Sequence, residues 1–177
     1  MLGILIMEEE QELLDVVDDK DNFIGKDTKG NKFLKGFISR NVAVFILDES
    51  KKLLIVKHSP DKKSFPNRYD IAVCGNVKAG EKYPDAAQRK LMEELGIRCS
   101  LTYLGKIFNE FKENDKIVKY FTCIFLGHYA DKVKLSDELS ELKRLSIKNV
   151  EELVKKDKYL FTPCFVNDFM HVRDKLK

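Results

Sequence analysis

Among the charged residues between Gly75 and Ile97, five have types and spacing that could do chemistry: Glu81, Arg89, Lys90, Glu93 and Glu94. Clustered carboxylates are the donors that Mg²⁺ and Mn²⁺ prefer, because both are hard cations that select oxygen. Arg89 and Glu93 are four residues apart, the separation at which side chains meet along a helix. Lys90 and Glu94 share that separation, so an ammonium and a carboxylate can pair there too. A run of this composition also suits an ordinary solvated helix face.

The elements that must carry these residues can be read around them. Ile71–Cys74 reads as a short strand ended by Gly75. Pro84–Leu95 reads as a helix, with proline in its first turn and Gly96 just past its end. At about 100° per residue, Ala87, Leu91 and Leu95 share one face and must pack on a sheet. Lys90 and Glu94 then lie at the margin of that face, with Glu93 further round. Val42–Leu47 is a continuous β-rich apolar run, the mark of a central strand, and Leu53–Val56 returns after a turn over 48–52. Further strands are expected over 13–18, 101–108 and 120–126, with a polar turn over 109–116. Helices are expected over 149–155 and 165–175. Strands flanked by a few helices give an α/β class with a mixed sheet.

The 177 residues are 44% apolar and 34% charged, enough to bury a core in one domain. Net charge is only +3, without the basic excess of a nucleic-acid wrapper. Residues 1–21 hold eight acids against Lys20, a local balance of −7, so the remainder carries +10. Six bases against Asp61 alone fall within 51–68, a strip suited to a polyanion. The four cysteines form no C-x-x-C pair, and free thiols are expected. His58, His128 and His171 are scattered without ligand spacing and read as structural or exposed. The apolar opening Met1–Met7 is too short for a membrane span and lacks basic flanks; translation could equally begin at Met7. These features imply a cytoplasmic protein with an apolar and acidic leader over 1–12 and a single domain over 13–177. No nucleic-acid polymer or membrane partner is expected.

The stretch over 75–97 resembles the Nudix box, a glycine, a glutamate, an arginine and two later glutamates at fixed spacing. Gly75, Glu81, Arg89, Leu91, Glu93, Glu94, Gly96 and Ile97 all fall on its pattern positions. A chance match this complete is on the order of one in a million at average residue frequencies. The resemblance implies a Nudix α/β/α sandwich with a mixed central sheet. It also implies a metal-dependent pyrophosphohydrolase, in which Mg²⁺ or Mn²⁺ bridges a diphosphate and water attacks phosphorus. On these positions Glu94, Glu93 and Glu81 are the metal carboxylates, and Glu93, Glu94 and Arg89 the catalytic set, with Arg89 orienting the helix acids. Lys90 departs from the pattern, which has a glutamate there. That exchange swings the local charge by two and lets Lys90 compete with a metal for Glu94. The expectation is low activity or a reduced metal count; in the other reading Lys90 turns outward and the three glutamates suffice.

Beyond the box, Leu14–Asp18, Ser39–Phe45, Lys62–Asp70, Cys74–Gly75 and Tyr159–Pro163 resemble the isopentenyl-diphosphate-isomerase-like branch. In that branch basic residues matching Lys57 and Lys62 face the diphosphate, and Arg68 completes the strip here. Glu138 or Glu141 lies on the loop where many members place an auxiliary acid. The isomerases carry a catalytic cysteine where Cys74 stands, but also histidines where this chain has Ser39 and Asn76, which argues against isomerisation. The expected substrate is a small nucleotide-like or prenyl-like diphosphate. The alternative is a catalytically weak module that binds a diphosphate ligand or a partner protein. Both a monomer and a homodimer fit.

Overall fold

The computed structural model describes residues 10–113 and 115–177; the leader up to Glu9 lies outside them. The expected central strand lies at the middle of the sheet, as β3 (Ile38–Leu47), with every residue from Val42 to Leu47 buried. Ten residues of β3 pair in parallel with β8 (Lys116–His128), from Ile38↔Lys119 to Leu47↔His128. On its other edge β3 pairs antiparallel with β6 (Val73–Asn76). β4 (Lys52–His58) carries the sheet on to β5 (Tyr69–Ile71) and β9 (Leu139–Ser146), while β1 (Leu13–Val17) and β2 (Phe23–Thr28) form a hairpin beside β3. β7 (Leu101–Glu113) lies antiparallel to β8. The sheet is therefore mixed.

Because successive strand residues point to opposite faces, β3 supplies two cores. Val42, Val44 and Ile46 meet Ala86, Ala87, Leu91 and Leu95 of α2 (Tyr83–Leu95). Ala43, Phe45 and Leu47 meet α3 (Ile147–Lys156) and α4 (Pro163–Val172), through Val150, Phe165 and Phe169. Phe165 stacks on Phe161 and Phe169 at 4.7 and 5.5 Å between ring centres. Helices thus cover both faces, and the α/β/α sandwich is present.

Several boundaries differ from expectation. Gly75 does not end its strand: it lies inside β6, opposite Val42. The polar stretch 109–116 is mostly strand, with Asn109↔Tyr120 through Glu113↔Lys116 in register, because pairing overrides turn-like composition. A short helix, α1 (Lys29–Lys35), has no apolar periodicity to announce it and is closed by Gly36 at φ 65°. α4 begins at Pro163, where the Thr162 hydroxyl accepts from the Phe165 amide at its N-terminus.

Candidate functional site

The site begins at Gly75, whose backbone runs beneath α2. A Cβ placed there would collide with Lys90 Cε, so glycine leaves the room in which the lysine stem crosses. That stem delivers Lys90 Nζ to 3.0 Å from Glu94 Oε1 and 3.2 Å from Glu93 Oε2. Burial works against the ammonium charge, but Glu94 and then Glu93 outweigh it and hold Lys90 above the ordinary lysine range. Burial also pushes the Glu94 carboxyl up, and Lys90 and Lys62 offset only part of that rise.

Arg89 organises the other acids. Its Nε and Nη2 donate to the two oxygens of Glu81 at 2.8 and 2.7 Å, a bidentate fork. Nη1 lies 3.2 Å from both oxygens of Glu93, and Nη2 donates also to the Asn76 carbonyl oxygen at 3.0 Å. Burial alone would raise the Glu81 carboxyl, but Arg89 and the Lys78 amide bring it below the usual range. One guanidinium thus ties the loop acid, a helix acid and the end of β6 together.

Lys62, on the loop after β4, pairs with Glu138 at 2.8 Å, and its charge reaches Cys74 and Glu94. His58 pins that loop: its Nδ1 lies 3.1 Å from the carbonyl oxygens of Ser64 and Phe65. Its Nε2 stands 3.2 Å from Asp70. Asp70 also accepts from the Thr162 hydroxyl at 2.8 Å and lies 4.0 Å from the thiols of Cys74 and Cys164. Cys164, burial and Asp70 together push the Cys74 thiol well up, so it stays protonated.

Not every residue singled out in the sequence joins this group. Following the pleat of β4, Lys57 shares the side of Leu53 and Ile55, facing the α3–α4 layer, and lies over the Tyr69 ring. Glu141 stands there as well, accepting from the Tyr69 hydroxyl at 2.9 Å and pairing with Lys143. Arg68 lies over Phe65 and donates to the Phe161 carbonyl oxygen. It lines an apolar cavity of about 380 Å³ with Phe161, Pro163, Val166 and Met170. Glu81, Arg89, Lys90, Glu93, Glu94, Lys62 and Glu138 are brought together; Lys57, Arg68 and Glu141 are not.

Sequence reasoning missed Lys32. This buried lysine of α1 donates to Asn76 Oδ1 at 3.1 Å and lies 4.7 Å over the Tyr120 ring. From Tyr120 an aromatic row continues through Phe111 and Phe65, both ring-to-ring steps 5.8 Å, to Arg68 at 5.4 Å over Phe65. The signal in the sequence is only Gly36, a helix stop after a segment with no apolar stripe.

A divalent ion needs carboxylate oxygens that are not already engaged. As they stand, the three expected ligands do not fit one: Arg89 holds both oxygens of Glu81, and the Lys90 ammonium stands against both Glu93 and Glu94. Among the described residues, no three His, Cys, Asp or Glu side chains converge as metal ligands. Among the same residues, no helix is long and apolar enough to cross a membrane.

Comparison with known proteins agrees with this architecture. The isopentenyl-diphosphate Delta-isomerase 2 of Photorhabdus laumondii is 28% identical over 156 residues, 87% of this chain and 88% of that protein. A prenyl-diphosphate phosphatase of Methanosarcina mazei is 36% identical over 95 residues, 54% of this chain and about half (55%) of that protein. The crystal structure of DR0079 from Deinococcus radiodurans superposes with a TM-score of 0.69, covering 82% of this chain and 90% of that one, at 24% identity. Nudix enzymes generally use a divalent metal. The NUDIX domain model matches residues 38–165, which span the central strand, the Lys62 loop, the box helix and the start of α4. The chain belongs to the NUDIX domain family of pyrophosphohydrolase-type enzymes.

Proposed function

We propose that this chain hydrolyses the diphosphate linkage of a small organic diphosphate whose organic part is apolar, of the prenyl type. The observation that carries the reading is the meeting of Lys90, Lys62, Glu94 and Glu138 at one end of α2, cations and acids within one charge network. Lysine ammonium groups attract and hold the phosphates as compact charges. Water attacks the terminal phosphorus, the bridging P–O bond breaks, and orthophosphate and an organic monophosphate leave. Glu94, whose carboxyl is pushed up by burial, is the acceptor for the water proton. Arg89 positions Glu81 and Glu93 through its fork. Mg²⁺ or Mn²⁺ is the cofactor this reading carries over from the family; with Lys90 set against Glu93 and Glu94, no step here is routed through it.

The aromatic row from Tyr120 to Arg68 and the apolar cavity beyond it support an apolar organic group over a ribose, as does the likeness to a prenyl-diphosphate phosphatase. The test is phosphate release from C5, C10 and C15 prenyl diphosphates and a nucleoside-diphosphate panel, with Mg²⁺ or Mn²⁺. Prenyl substrates should be favoured, and Glu94→Gln should lower release at least 100-fold. Release from none of them, with ligand-induced thermal stabilisation retained, would instead support a diphosphate-binding module. That second reading is favoured by one observation: cations of the chain already engage each box acid.

A further inference from the structure

We propose that the Lys90 ammonium is a resident cation that replaces one divalent ion and contacts the diphosphate directly; this rests on the diphosphate reading above. Three features of Lys90 point to it. First, its Nζ lies 3.0 and 3.2 Å from oxygens of Glu94 and Glu93, the two helix acids expected to grip a metal. Second, the stem is seated by the backbone at Gly75, where the space a Cβ would need is taken by Lys90 Cε. The stem lies beside Gly75 and the head is ion-paired with both acids, so the ammonium stands at the site with only a fifth of its side chain exposed. Third, the charge bookkeeping closes. A lysine where the box pattern has glutamate changes the local charge by two, which is the charge of one Mg²⁺ or Mn²⁺ ion.

The donor count agrees. An ammonium carries three N–H bonds, and Lys90 uses two on Glu93 and Glu94. The third is left for a phosphate oxygen, in a space where Lys62 supplies a second positive charge from the opposite loop. Diphosphate binding in this chain therefore has a metal-independent part, and the metal count at the site is one lower than with a glutamate at position 90.

The experiment uses methylenediphosphonate, a diphosphate that cannot be hydrolysed, with the full chain. Calorimetry measures its binding in EDTA and in Mn²⁺, and electron paramagnetic resonance counts bound Mn²⁺. The variants are Lys90→Met, which keeps an apolar stem on Gly75, and Lys90→Glu, with thermal melts to show that each is folded. The expected results are binding by the wild type in EDTA, at least tenfold weaker binding in EDTA for Lys90→Met, and one additional Mn²⁺ per chain in Lys90→Glu. Wild-type binding only with Mn²⁺, equal binding of wild type and Lys90→Met in EDTA, or equal Mn²⁺ counts in wild type and Lys90→Glu would each overturn the inference while leaving the diphosphate reading intact. Binding in neither medium would overturn both.

Discussion

Asp168 is the most informative residue to perturb outside the site. It lies on the inner side of α4, buried, with one carboxylate oxygen accepting from Asn109 Nδ2 at 2.8 Å. The same amide nitrogen donates to Thr122 Oγ1 at 2.8 Å, and Asn167 Nδ2 donates to Asn109 Oδ1 at 2.7 Å. Burial pushes the Asp168 carboxyl from 3.8 up to about 7; the Asn109 bond opposes the rise and the charge of Asp70 adds to it. A carboxyl that titrates about three units higher when folded is easier to ionise in the unfolded chain. Its contribution is fully present below about pH 4, where both states are protonated, and is lost as pH rises to about 7. At about 1.4 kcal/mol per unit, the loss is about 4 kcal/mol at pH 8. Asp168→Asn keeps an oxygen acceptor for Asn109 and removes the ionisation. Urea unfolding of both chains at pH 5, 6, 7 and 8 should give a stability difference that moves in favour of the variant by roughly 1 kcal/mol per unit and flattens above pH 7. The cost of burying an amide is the same at every pH, so the slope is the diagnostic quantity. A difference that does not change with pH would refute the reasoning, as would a variant that loses ground towards pH 8.

Other perturbations test the packing and the site. Phe165→Ala should cost about 3–5 kcal/mol in chemical denaturation, because it empties the middle of the Phe161–Phe165–Phe169 stack in a fully buried position. Gly75→Ala should cost less than about 1 kcal/mol, because the flexible end of Lys90 moves aside, and less still in a Lys90→Ala background. Additive losses in that double-mutant cycle would contradict the close approach. His58→Ala should free the Lys62 loop, seen as a several-fold weaker affinity for methylenediphosphonate by calorimetry with the Glu94-side contacts untouched. Arg89→Met should loosen Glu81 and lower thermal stability by a few degrees, since a bidentate, partly buried fork is lost.

How far residue order alone reaches is clearest around α2. The spacing from Gly75 to Ile97 placed the acids, the arginine and the odd lysine on one loop and helix, and the pairing of Lys90 with Glu94 followed from their separation. What residue order did not show is what lies across the sheet. A count of bases over 51–68 finds a strip, but the strand pleat sends Lys57 to the α3–α4 side, and Arg68 leaves along the cavity rim. Lys32 escaped because its burial is made tolerable by Asn76 and the Tyr120 ring, partners 44 and 88 residues away. Gly75 looked like a strand end because a glycine usually weakens a strand; here the lysine stem occupies the room its missing side chain leaves.

The parallel pairing of β3 with β8 carries a consequence for synthesis. β6 and α2 emerge from the ribosome soon after β3, but the second edge of β3 waits for residues up to His128. At about 5–20 residues per second, the roughly 50 residues between the end of β6 and the end of β8 take several seconds. Throughout that interval the most apolar strand of the chain presents an unpaired backbone edge, which is a template for joining another nascent chain. Yield in the cell should therefore depend on holdase chaperones and on the speed of translation through residues 77–128, independently of how stable the finished protein is.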